Sequence, residues 1–352
     1  MDKILTVFTG GTVGSDTKNA VINVDDSVSP SLIDTFCKRF NLDVDFDIVS
    51  PYTILSENLL ASHWESLHAT IIGCDLTQYK GIIITHGTDT LPYSTSAFSY
   101  LLCGIDLPVV FISDNYVISH PLSNAADNFA NAVHFILNSG LCGVYNIFKN
   151  SAEQNVVHLG TRLTESDPVC DQFNSYRSID FGHMDGYKFI HNDNPLNPNT
   201  DKIKAVCCDY NKSPVAFDNS ILYISPFPGL DYNMFNFENS RPAAVLHRLY
   251  HSSTACVAHG HHSLINFTEK CRSLGIDVYF LDCRHFYDND VYESCKQLKL
   301  SSALPLTGIS VESALAKLWI AYNQKPTDQQ LQTDYNYIYN FMKRNVWFEY
   351  VI

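Results

Sequence analysis

The 352-residue chain has no apolar run of membrane-spanning length, no stripe of lysine and arginine, and no Cys-x-x-Cys pair. Each absence removes a class of function. A helix that crosses a bilayer needs about 20 consecutive apolar residues, so no membrane association is expected. Met1-Asp2-Lys3 leads straight into a short strand-like run, with no extended apolar segment and no small-residue cleavage site, which predicts a cytoplasmic protein. Asp and Glu number 37 against 23 Lys and Arg, for a net charge of −14. A nucleic-acid partner is therefore not expected, because such binding needs a basic surface that displaces counterions. The eleven cysteines are odd in number, lack paired spacing, and sit in apolar segments such as Ala205-Val206-Cys207-Cys208. They read as reduced thiols rather than a disulfide framework. No G-x-G-x-x-G run and no Walker lysine-serine pair occurs, which weakens a nucleotide-loop reading.

What is present is globular: 45% of residues are apolar and only 17% charged, and the length suffices for two domains that each bury a core. Short β-branched runs alternate with longer amphipathic ones, the pattern of a parallel sheet with crossover helices. Strands are predicted at residues 4–8, 44–49, 81–85, 109–113 and 143–148, and helices at 31–40 and 124–137. The second helix places Ala125, Phe129, Ala132, Val133 and Ile136 on one face. The asparagine- and proline-rich stretch His191 to Thr200 favours turns and marks a boundary: a first domain over 1–192, a linker over 193–212 and a smaller α/β domain over 213–352. In that second part, strands are expected at 221–225, 243–249 and 277–282, and helices at 263–273 and 311–322. The aromatic tail 329–352 reads as a helix packed on the body or on a subunit partner.

Two loops carry the chemistry. Thr9-Gly10-Gly11-Thr12 follows the strand ending at Phe8, and His86-Gly87-Thr88-Asp89-Thr90 follows the strand ending at Thr85. Strand ends of an open α/β sheet are where ligands bind. The Thr12 hydroxyl, on a backbone without Cβ crowding, can meet a planar carbonyl whose developing oxyanion finds main-chain donors. Thr88 and Asp89 add a second hydroxyl and a carboxylate, a set suited to an amino-acid amide. Either loop alone reads equally as a tight strand-to-helix turn.

Together the loops resemble the bacterial-type asparaginase and glutaminase-asparaginase family, in its cytoplasmic branch. The resemblance extends to Tyr52 through Asn58, Asn128-Phe129-Ala130-Asn131-Ala132, Gly160-x-Arg162, Pro228-Gly229 and Ser310 through Leu318. It implies a larger, N-terminal, doubly wound, mainly parallel α/β domain followed by a smaller α/β domain. It also implies Thr12 as nucleophile and Thr88 as second catalytic hydroxyl. Ser56, in the substrate loop with Glu57, would bind the α-carboxylate and Asp89 the α-ammonium, with Gly11 and Gly87 lining the pocket. No cofactor or metal is implied, and the assembly expected is a homodimer or homotetramer.

The departures are as specific as the matches. Residues 13–23 hold no tyrosine where the family has one, and Glu165 aligns with the family's lysine. Asn124-Ala125 replaces an aspartate-glycine pair, and Tyr250 to Thr254 replaces a glycine-rich loop. A threonine needs help to lose its proton. Lys18, Asp16 and Asp25 are candidates for the tyrosine's role, Lys149 and Lys188 for the lysine's, and Glu165 is either a recruited acid or base or a solvated loop carboxylate. Three readings stay open: an amidohydrolase acting on asparagine or a related amide, an amino-acid-binding protein that has lost catalysis, and an enzyme for cationic amides. His247, His251, His259, His261 and His262 fit no zinc spacing and read as loop residues. His251, Tyr287, Asp288 and Asp290 are further pocket candidates.

Overall fold

The computed structural model describes residues 2–11, 33, 36, 44–118, 120–170, 172–206, 212–324 and 337–352, and the backbone alone of 15–18 and 21–24. These residues form two compact units, one over 1–216 with Val346–Phe348 and the other over 217–345 with Glu349–Ile352.

The first unit is built on one sheet. Its described strands are β1 (Asp2–Phe8), β4 (Val44–Val49), β5 (Gly81–Thr85), β6 (Pro108–Ile112), β7 (Gly143–Lys149), β8 (Asn155–Leu159), β11 (Gly182–Asp185) and β12 (Lys188–His191), with β2 (Ser15–Lys18) and β3 (Val21–Val24) forming a separate hairpin. The order is β12-β11-β8-β7-β6-β5-β1-β4. From β4 to β7 the neighbours are parallel; β8, β11 and β12 add an antiparallel edge. Burial explains the composition of the centre. Every residue of β5 and of β6 is buried, as a parallel strand covered on both faces must be, so Ile82-Ile83-Ile84 and Val109-Val110-Phe111 read as unbroken apolar runs.

Helices α1 (Ala61–Ile72), α2 (Leu91–Leu101) and α3 (Ala125–Asn138) connect these strands. On α3 the predicted face of Ala125, Phe129, Ala132, Val133 and Ile136 is buried, and Phe129 meets Phe36 and Phe46 at ring distances of 5.1 and 5.5 Å. The helix predicted over 31–40 lies largely outside the described residues. A hairpin of β9 (Leu163–Asp167) and β10 (Gln172–Ser175), which the sequence reading does not anticipate, packs beside α2.

A buried arginine completes this unit. Arg162 donates from Nε to Phe348 O at 2.7 Å and from Nη1 to Leu196 O at 3.0 Å, while Thr161 Oγ1 donates to Trp347 O at 2.7 Å. Trp347 covers Gly143, where a Cβ would fall 1.9 Å from the indole. Beyond the sheet edge lies α4 (Thr200–Lys204), capped by Asn199.

The second unit has a four-stranded parallel sheet, β13 (Ile221–Ile224), β14 (Ala244–Arg248), β15 (Asp277–Leu281) and β16 (Leu304–Leu306), in sequential order. Around it run α5 (Leu264–Ser273), α6 (Glu293–Lys299), α7 (Val311–Asn323) and α8 (Tyr337–Lys343). Ser263 and Ser310 cap α5 and α7, accepting from the N–H of Asn266 and Ser313. On α7, Lys317 is fully buried; its ammonium donates to Glu349 and to Arg344 O, each at 2.5 Å, and to Met342 O. Among the described residues no helix is long and apolar enough to cross a membrane.

Candidate active site

The sheet order decides where a site can form. After β1 the chain continues to β4 on one side and then crosses to β5 on the other, so the order reverses at the β1/β5 boundary. The loops leaving the carboxyl ends of these strands diverge there and open a crevice, the usual ligand position in open α/β sheets. Both threonine-bearing loops leave from this point.

Contacts between the loops are close enough to require glycine. Gly10 has φ +98° and Gly11 φ +70°, conformations that glycine adopts without penalty. Gly11 N donates to Ile54 O at 2.9 Å and Ile54 N to Thr9 O at 3.1 Å, so the loop after β4 runs alongside the first motif. A Cβ on Gly11 would lie 2.4 Å from Gly87 N, and one on Gly87 would lie 2.4 Å from Ser56 Oγ. Gly11, Gly87 and Ser56 therefore meet at one point, drawn from three segments of the chain.

Three side-chain groups beside this point make no hydrogen bond among the described residues. Ser56 is buried in a short 3-10 turn, Ser56–Asn58, yet its hydroxyl makes no hydrogen bond among the described residues. The same holds for the Thr88 hydroxyl and N–H and for the Asp89 carboxylate. Thr90 Oγ1 donates to Ser56 O at 3.0 Å, tying the second and third segments together. Residues 88–90 form the turn into α2, whose first N–H groups have no intrahelical acceptor and favour a negative group nearby. Glu57 is exposed beside Ser56.

Buried polar chains hold the second loop from behind. Trp64 Nε1 donates to Ser94 Oγ at 2.9 Å; Ser94 Oγ and His86 Nε2 are 2.8 Å apart, as are His86 Nδ1 and Gly87 O. Burial pulls the pKa of His86 down to about 4, so the ring is neutral near pH 7. At the exit of β6, buried Asp114 accepts from Ser123 Oγ, Asn124 N and Tyr116 N. Burial raises its pKa and these bonds oppose the rise. Neither chain stands out in the sequence. His86 and Ser94 are eight residues apart and Trp64 lies thirty away, and the only local signal is a histidine next to the Gly-Thr-Asp run.

Glu165 sits exposed on β9 and accepts from Tyr93 Oη at 2.5 Å. Tyr93 lies in the first turn of α2, four residues after Asp89, so the carboxylate is moored to the helix that begins at the second motif. The two proposed lysine replacements are placed elsewhere. Lys149, at the end of β7, pairs with Glu153 and with Asp127 at 3.3 Å. Lys188 is on β12, five strands from β5, about 24 Å at the usual strand spacing. Thr12 and Asp25 lie outside the described residues, as do the side chains of Asp16 and Lys18.

The second-unit histidines serve separate contacts. His247 is buried against Tyr232 Oη at 2.8 Å, and burial lowers its pKa to about 4. His262 Nδ1 meets Leu230 O, and Arg284 donates to His251 and His285. Among the described residues no group of three or more His, Cys, Asp or Glu is arranged to hold a metal ion.

An open, mainly parallel sheet followed by a smaller parallel unit is the fold that the chain shares with solved L-asparaginases. The family model described as "Asparaginase, N-terminal" matches residues 3–196, and the chain belongs to the asparaginase family. It is 22% identical, over 98% of its length, to a glutamyl-tRNA(Gln) amidotransferase component of Sulfolobus acidocaldarius, of which the match covers 78%. Its fold matches the thermostable L-asparaginase from Thermococcus kodakarensis with a TM-score of 0.76, at 20% identity and 99% coverage of both chains. It also matches a probable cytoplasmic L-asparaginase from Campylobacter jejuni with a TM-score of 0.68, at 17% identity, over 96% of this chain and 99% of that one.

Proposed function

We propose that the protein hydrolyses the side-chain amide of L-asparagine, or of a related amino-acid amide, to the acid and ammonia. Thr12 Oγ1 attacks the amide carbon, backbone N–H groups receive the oxyanion, ammonia leaves, and water then cleaves the threonyl ester. Ser56 and its neighbour Glu57 serve the α-amino-acid end, Ser56 with the α-carboxylate and Asp89 with the α-ammonium. Thr88 is the second hydroxyl, and Glu165 takes the position of the family's lysine. The reaction so written needs no cofactor. The observation that carries the reading is the close meeting of Gly11, Gly87 and Ser56, directly before Thr88 and Asp89, with the Ser56 and Thr88 hydroxyls and the Asp89 carboxylate making no hydrogen bond among the described residues. A free amino acid presents the opposite set of charges and donors.

The test is ammonia release with identification of the product, across asparagine, glutamine and other amides, with Thr12→Ala as control. Loss of turnover by at least about a thousandfold in the control is expected for removal of a nucleophile; full activity in Thr12→Ala would refute the assignment. A second reading follows from Glu165 and its tyrosine partner: a protein that binds the amino acid but has lost proton transfer. Stabilisation by aspartate without turnover would select it.

The assembly proposed is a homodimer or homotetramer in the cytoplasm, the compartment named for the Campylobacter jejuni relative. Similarity along nearly the whole chain to a protein named as part of an amidotransferase supports a variant in which a different protein completes the assembly. Mass measurement of purified protein, alone and from its native source, separates the two.

A further inference from the structure

The chain of buried hydrogen bonds behind the second motif has a direction, and its direction follows from chemistry. Trp64 Nε1 can only donate, and it does so to Ser94 Oγ at 2.9 Å. At the other end Gly87 O, 2.8 Å from His86 Nδ1, can only accept, so the neutral ring carries its hydrogen on Nδ1 and the Ser94 hydroxyl, 2.8 Å from Nε2, donates to that nitrogen. Three donors thus point the same way, from α1 through α2 into the loop. Trp64, Ser94 and His86 are all buried.

The carbonyl that receives this chain belongs to the peptide joining Gly87 to Thr88. No cis peptide occurs among the described residues, so the N–H of Thr88 is directed opposite to the Gly87 carbonyl, away from the buried imidazole. That N–H has no acceptor among the described residues. A peptide whose oxygen accepts a hydrogen bond is polarised and becomes a better donor at nitrogen.

We propose that His86, oriented by Ser94 and Trp64, is a positioning residue for the amide hydrolysis proposed above: it fixes and polarises the 87–88 peptide so that the Thr88 N–H is presented to the substrate. The inference rests on that functional reading and is tested so that the two can fail separately. Two-bond 1H–15N correlation of the His86 ring is expected to show the Nδ1–H tautomer. His86→Phe removes the donor; Ser94→Ala removes the hydroxyl that donates to Nε2; His86→Asn restores a donor to Gly87 O. Because a misplaced donor acts in the transition state, the first two are expected to lower kcat by about tenfold or more with KM within about twofold. His86→Asn is expected to recover at least about a third of the rate. Thermal melts identify any variant that fails to fold, and Ser94→Ala, the smaller change, then decides. An Nε2–H tautomer, or kcat values within about twofold of the original in the folded variants, overturns the inference. If the unaltered protein releases no ammonia from any amide, the amidase reading has failed on its own. The decision then passes to aspartate affinity: weakening of about fivefold or more in His86→Phe but not in His86→Asn supports the positioning role, and unchanged affinity in both overturns it.

Discussion

A glutamate at 165, where the resemblance aligns the family's lysine, would change the electrical character of the proposed site without disturbing its frame. Its carboxylate accepts from Tyr93 at 2.5 Å, and the tyrosine oxygen that donates to it has lone pairs that could equally accept from an ammonium. A lysine at 165 would therefore keep the link to α2 with the proton running the other way. Glu165→Lys is expected to raise kcat/KM for asparagine by about tenfold, because a cation near the site lowers the cost of deprotonating a hydroxyl. Steady-state kinetics of the variant checks this, and a fall in rate instead would identify the carboxylate as a working group. At this scale the sequence was only partly legible. Gly11, Gly87 and Ser56 were picked out through the family resemblance of their motifs, each of which is contiguous in the chain. The Trp64, Ser94 and His86 chain could not, because an alternating order of donors and acceptors leaves no trace until the helices are packed. Lys149 and Lys188 were candidates by charge alone; Lys149 pairs with Asp127 and Glu153, and Lys188 lies five strands from β5.

Among the elements, the central strands were the most legible. The bounds of β5 coincide with the apolar run that predicts them, since burial on both faces leaves no polar alternation to confuse the reading. Helix α5 begins one residue later than predicted because Ser263 is its cap and not its first turn. The hairpins of β9 with β10 and β11 with β12 went unread: Thr164-Glu165-Ser166-Asp167 has little β-branched content, and its pairing comes from packing. The loop Tyr250 to Thr254 closes with Ser253 at φ +55°, a serine holding a backbone conformation usually given to glycine. The tail expected over 329–352 contains α8 packed against α7, and 329–336 lies outside the described residues. The pair of Lys317 and Glu349 governs this corner. Burial draws the lysine pKa down and the glutamate opposes it. Glu349→Ala is expected to cost about 3–5 kcal/mol by leaving a buried ammonium without its counter-charge, whereas Lys317→Met with Glu349→Leu should cost no more than about 2 kcal/mol. Denaturant unfolding of the three proteins measures the difference, and equal losses in both variants would rule out an electrostatic origin.

For the whole molecule, His86 in the first unit and His247 in the second are deeply buried histidines whose pKa burial brings to about 4 from an ordinary 6.5. The unfolded chain binds these protons more readily than the folded one. Stability is accordingly complete above about pH 6.5 and declines as the pH drops toward about 4, by up to a few kcal/mol for each group. Thermal melts between about pH 7.5 and 4 are expected to show this decline, with His247→Gln flattening the second unit's part of it; a melting temperature independent of pH across that window would contradict the assignment.

The clamp formed by Thr161 and Arg162 has a consequence for how the protein comes into being. One partner of Arg162, Phe348 O, lies 186 residues further on, and translation at about 5–20 residues per second takes about 10–40 s to reach it. Throughout that interval the nascent first unit holds a guanidinium without Phe348 O and a Gly143 surface without its indole cover. Its folding cannot be completed on the ribosome ahead of the second unit, although its sheet is finished long before, and the growing chain is most exposed to chaperones and proteases in that interval.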